Sequence, residues 1–184
     1  MLNGLVLATS LTIVPVMADA QEKPFLTTAP TPEGYAWFLR TEYHPFGTDV
    51  RGIPLAKIRA GWCKANEFRA DLFPAEEAKS FEDSGMSFAV DGFFDGSKTR
   101  QTALVGVYES CKGERGAFLL VLAWPKQKPP VVKFVQELPG EREFAMVLTD
   151  GPVIELFHCM DCDYVSKYRW NKVKQRFVLL PPEF

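Results

Sequence analysis

The sequence predicts an α+β protein that is mainly β, with N-terminal helices packed on an antiparallel β-meander of seven or eight strands. Two patterns carry this. From Met86 onward, short apolar runs alternate with turn residues, the texture of consecutive strands. Before that point, apolar residues recur at helical spacing in two stretches. The chain of 184 residues, 47% hydrophobic and 13% aromatic, is long and apolar enough to enclose one core.

In chain order, residues 1–20 read as a cleaved signal peptide. An apolar run from Leu5 to Met17, interrupted by Thr9, Ser10, Thr12 and Pro15, precedes Ala18-Asp19-Ala20, a small-x-small cleavage pattern. The run is shorter than the ~20 residues a membrane span needs. No cysteine closely follows the cleavage site, which argues against a lipid-modified N-terminus. A periplasmic or extracellular location follows. Residues 21–34 hold three prolines among small polar residues and predict a loose, extended leader. Residues 35–184 form a single globular domain, with a helical part over 35–85 and the meander over 86–184.

Within the helical part, Ile53, Leu55, Ile58, Trp62 and Cys63 fall at helical spacing, with Pro54 suited to a first turn. A second helix is expected from Pro74 to Asp83, stopped by Gly85. The predicted strands are Met86–Phe94, Gln101–Ser110, Ala117–Trp124, Val131–Leu138, Phe144–Thr149, Val153–Cys159, Tyr164–Trp170 and Phe177–Leu180. Phe144, Met146 and Leu148 alternate, whereas Ala117 to Trp124 is apolar throughout and is the candidate for a strand covered on both faces.

Removing residues 1–20 leaves 21 basic and 22 acidic residues, a net charge of -1, so no global field steers a polyanion. Four cysteines, Cys63, Cys111, Cys159 and Cys162, suit two disulfides in an oxidising compartment. Short loop closure pairs Cys159 with Cys162 and leaves Cys63 for Cys111. Cys159-Met160-Asp161-Cys162 also admits a redox dithiol or, with His158, part of a copper or zinc site. Asp161 and Asp163 would raise a thiol pKa, and a regular strand would send His158 and Cys159 to opposite faces. A disulfide is the preferred reading. No cofactor motif is present, and the only two histidines, His44 and His158, lie in no recognisable nucleophile motif.

The segment Phe88-Ala-Val-Asp-Gly-Phe-Phe-Asp-Gly-Ser-Lys-Thr99, followed by the strand Ala103 to Tyr108, resembles one unit of the FG-GAP or VCBS-type repeats of exported bacterial proteins. In those repeats an acidic loop between two strands holds calcium through six to eight oxygens. Aligned to that pattern, the acidic positions fall on Phe93, Asp95, Ser97 and Gln101, so Asp95 alone keeps a carboxylate in register. The resemblance implies a strand-loop-strand shape whose metal has been lost. The closing hairpin, with Trp170 and Phe177 placed to pack across it, resembles that of uncharacterised exported bacterial proteins, a resemblance that implies no activity.

Lys167, Arg169, Lys172, Lys174 and Arg176 read as edge protection on that hairpin, with an anionic binding patch as the competing reading. Trp37, Phe38, Tyr43 and Phe46 form either a contact surface or ordinary core. Together these features predict a non-catalytic exported protein that binds or supports the envelope, its partner an envelope protein or a glycan and not a nucleic acid. The alternative is thiol-redox or metal handling through Cys159 and Cys162.

Overall fold

The computed structural model describes residues 24–30, 32, 36–140, 144–159 and 164–182. The expected signal segment, Tyr35 and Cys162 lie outside the described residues. The elements are β1 (Leu26–Thr28), β2 (Thr41–Tyr43), β3 (Asp49–Val50), β4 (Ile53–Pro54), α1 (Leu55–Ile58), β5 (Trp62–Glu67), α2 (Ala75–Ser84), β6 (Ala89–Gly92), β7 (Gln101–Ser110), β8 (Arg115–Ala123), β9 (Val131–Pro139), β10 (Met146–Asp150), β11 (Val153–Phe157), β12 (Val165–Asn171) and β13 (Arg176–Leu179). The fold is mainly β and antiparallel. No helix among the described residues is long and apolar enough to cross a membrane.

The strands divide among sheets instead of forming one meander. The larger sheet runs β5-β7-β8-β9, with β6 beside the first half of β7; a second sheet runs β10-β11-β12-β13. β8 is buried on both faces, as its unbroken apolar sequence requires. Ala117, Leu119 and Val121 point into one cluster with Ile154, Leu156 and Tyr168 of the second sheet. Phe118, Leu120 and Leu122 point into another with Val50, Ile53, Leu55, Ile58 and Trp62. Burying a side chain of this size is worth about 1.5–3 kcal/mol, so β8 is the central prop of both layers. The backbones approach closely here: a Cβ on Gly106 would lie 2.2 Å from the Asn66 carbonyl oxygen, and one on Gly116 2.3 Å from that of Leu138.

The helix expected over Ile53–Cys63 is not formed. Its apolar residues do bury together, but the chain delivers them by a two-stranded turn, the single helical turn α1 and then β5. The helical path ends at Arg59, which is extended (φ −149°), and Gly61, at φ +98°, then turns the chain into β5. Trp62 then stacks on Tyr108, with ring centroids 4.8 Å apart, and enters the sheet opposite Ser110. The second helix forms as α2, closed by Gly85 in the left-handed conformation at φ 69°. It buries Phe81 among Trp37, Phe73, Phe88 and Phe144. In place of the expected layer of N-terminal helices the chain has the single turn α1, the helix α2, an aromatic cluster and short strands.

Within the stretch expected to be loose, Phe25 is buried and β1 pairs with β2, Leu26 opposite Tyr43. The two large sheets are tied by a bridge between Ser87 and Val147. On the other side Phe134 of β9 meets Tyr168 and Phe177. Trp170 and Phe177 pack edge to face across the closing hairpin, 5.2 Å apart.

Candidate functional site

The four aromatics singled out in the sequence separate by environment. Phe38 and Tyr43 are buried and Trp37 is half-buried in the aromatic cluster, whereas Phe46 stands 61% exposed. Its loop leaves β2 through His44 and Pro45. The His44 amide donates to the Phe25 carbonyl (2.6 Å), and the His44 Nε2 lies 2.9 Å from the Thr27 hydroxyl. Asn66 of β5 accepts from the amides of both Phe46 (2.7 Å) and Gly47 (3.1 Å) through one oxygen. The Ala65 amide donates to the Gly47 carbonyl at 2.9 Å. Position 47 admits no side chain, because a Cβ there would lie 2.5 Å from the Ala65 carbonyl oxygen. The Phe46 ring also meets Phe25 edge-on at 6.4 Å. The exposed ring is therefore held on a fixed backbone.

Phe46 separates two clefts. The first, about 460 Å³, is lined by Phe25, His44, Phe46, Lys64, Glu109 and Arg115, with Pro24 and Pro45. Its polar wall is a product of strand register: Lys64 of β5 lies opposite Glu109 of β7, which lies opposite Arg115 of β8. Glu109 pairs with Lys64 at 3.3 Å and Arg115 at 3.0 Å. Burial opposes the charge on Glu109, but hydrogen bonds from Arg115 and Lys64 outweigh it and hold the carboxyl below its ordinary range. Two cations against one carboxylate leave this wall with one net positive charge. The second cleft, about 290 Å³, contains Asp49, Arg51, Asn66, Glu67 and Arg69. Arg51 pairs with Glu67 at 2.5 Å, so donors and acceptors balance there.

The cysteines close the β5 end of this region. Cys63 and Cys111 form a disulfide across a sequence separation of 48 and join β5 to the β7-β8 turn. Cys159 is also disulfide-bonded; Cys162, its expected partner, lies outside the described residues. His158 stacks on Tyr164 at 4.3 Å and its Nε2 lies 3.1 Å from the Ser166 hydroxyl. Burial lowers its pKa, which favours the neutral imidazole. Among the described residues, no group of three or more His, Cys, Asp or Glu is placed to hold a metal ion.

The acidic loop between β6 and β7 uses its carboxylates internally. Asp91 takes Arg100 and the Thr102 hydroxyl (2.6 Å), and the Trp124 indole donates to that same hydroxyl. Asp95 accepts from the Ser97 amide (2.9 Å) and pairs with Lys133 of β9 (3.0 Å), whose ammonium also sits 4.7 Å from the Trp170 ring centre. Burial works against the Asp95 charge, yet the donors of Ser97, Lys133 and Gln101 prevail and bring its pKa to about 2. A lysine side chain thus supplies positive charge inside this loop. On the closing hairpin, Lys167 pairs with Glu155, while Arg169, Lys172, Lys174 and Arg176 remain at the surface.

Against known protein families, curated proteins and solved structures, the chain finds no match. The geometry of the Phe46 loop must therefore carry the functional reading. Sequence reasoning had Phe46 among its contact candidates but not Asn66, Lys64, Glu109 or Arg115. Pro45-Phe46-Gly47 is a local turn signal, whereas the charged row exists only once three strands are in register.

Proposed function

We propose that this protein is an exported, non-catalytic binding domain of the cell envelope, which meets its partner through the Phe46 loop. The observation that carries the reading is a large apolar ring held in solvent by a loop whose backbone is tied at both ends and through Asn66. Ordering a contact residue during folding removes that entropic cost from binding. An exposed aromatic ring flanked by two clefts has the makeup of a binding anchor.

Export is supported by the cysteines, since disulfides persist in oxidising compartments. The test is co-sedimentation of the purified protein with isolated envelope fragments, comparing the parent chain with Phe46→Ala. Retention should fall at least fivefold while the thermal unfolding curve is unchanged. Equal retention of the two proteins would overturn the reading.

A further inference from the structure

We propose that the Phe46 loop binds an acid-bearing saccharide chain. An acidic unit lies in the cleft walled by Lys64 and Arg115, and a neutral unit lies across the ring in the cleft walled by Arg51 and Glu67. This rests on the reading of Phe46 as the contact residue and adds the chemistry of the ligand.

Three observations lead to it. The two clefts flank one exposed ring, which suits a chain laid across Phe46 with one unit on each side. A pyranose presents weakly positive C–H groups from its ring face, complementary to the negative face of an aromatic ring. The clefts also differ in charge. In the first, Glu109 neutralises only one of the two cations, and Arg115 uses its Nε on that carboxylate, so its terminal nitrogens can meet a ligand carboxylate. In the second, Arg51 and Glu67 are paired and offer donor and acceptor side by side, which suits hydroxyl groups. A strongly polyanionic ligand is disfavoured, because Glu109 and Glu67 stand in the walls.

The test is calorimetric titration with a hyaluronan hexasaccharide, which alternates uronate and N-acetylhexosamine units, and, as the polyanionic control, with an oligogalacturonate, in which every unit is acidic. Each is compared with its carboxyl-reduced form, and amide chemical shifts map the contact. The hyaluronan hexasaccharide should bind ten times more tightly than its reduced form and more tightly than the oligogalacturonate, shifting the amides of Phe46, Gly47, Lys64 and Arg51. Arg115→Gln should remove that preference, and Phe46→Ala should weaken binding at least tenfold, with amide spectra showing the parent fold in both variants. The preference should also shrink with added salt.

Equal affinity for acidic and reduced forms, no binding of either, or shifts mapped away from Phe46 would overturn the saccharide assignment. If a peptide with a C-terminal carboxylate binds at Phe46 and neither saccharide does, the assignment also falls. In these cases, loss of envelope retention in Phe46→Ala would leave the broader binding reading standing. Unchanged retention in that variant would overturn both.

Discussion

Removing the Cys63–Cys111 bridge should lower stability by an amount set mainly by the unfolded chain. Both cysteines are exposed, so replacing them with serine opens no core cavity and strands no buried group. The bridge closes a loop with a sequence separation of 48. In the chain-entropy model a loop of that length is worth about 4 kcal/mol. For a domain of this size each kcal/mol moves the melting temperature by roughly 2–4 °C, so the expected fall is about 8–16 °C. The assay is thermal unfolding of Cys63→Ser/Cys111→Ser beside the oxidised parent chain. Amide spectra should show Lys64 still opposite Glu109, because Ala65, Asn66 and Glu67 pair with Tyr108, Val107 and Gly106 beyond the bridge. A fall below about 3 °C would refute the reasoning, since it would mean that the unfolded ensemble holds these segments together without the bridge.

Three further outcomes follow from particular contacts. Asn66→Ala removes the acceptor of the Phe46 and Gly47 amides; at about 0.5–1.5 kcal/mol net for each hydrogen bond at this partly solvated site, it should lower the melting temperature modestly and speed hydrogen exchange at both amides, and unchanged exchange would contradict the latch. The Tyr43 hydroxyl is 2% exposed by residue and has no hydrogen-bond partner among the described residues, so Tyr43→Phe should leave stability unchanged or raise it by up to about 1 kcal/mol in chemical denaturation; a clear loss would reveal a partner. Asp95, at about 2 in the fold against an ordinary value of 3.8, contributes stability that is whole above pH 4 and is lost as pH falls toward 2, where the unfolded chain takes up the proton first. Asp95→Asn should flatten that acid limb of the melting curve, and a limb as steep as that of the parent chain would exclude Asp95 as its source.

The elements most legible in the sequence were those whose burial is decided locally. Gln101–Ser110 matches its expected bounds to the residue, and the unbroken apolar run from Ala117, the candidate for a strand covered on both sides, is β8. The helix α2 announced itself by spacing and by Gly85. The failure over Ile53–Cys63 has a different cause. Helical spacing records that residues bury on one side, and a hairpin, one helical turn and a strand can bury the same residues on the same side. Gly52 and Gly61 marked the breaks, but their effect depended on a partner strand far along the chain, with Trp62 opposite Ser110. The short strand β1 was hidden for the same reason: three prolines argued for loose chain, while pairing with Thr41–Tyr43 and burial of Phe25 in the aromatic cluster decided otherwise.

The Phe46 site was legible only in its centre, and the physical reason separates two kinds of placement. A loop that exposes a ring is encoded by neighbours in sequence, here Pro45 and Gly47. What makes the ring a fixed feature is a single oxygen on Asn66, 20 residues away, together with a β5 carbonyl that leaves no room for a side chain at position 47. The charged wall goes further still, because Lys64, Glu109 and Arg115 come from three strands and meet through two registers. A slip of one residue in either ladder would turn one of them to the opposite face and leave Glu109 with a single cation. The core packing of β7 and β8 that forbids this slip also sets the cleft's charge, so the large apolar residues of the sheet specify the polar surface beside Phe46.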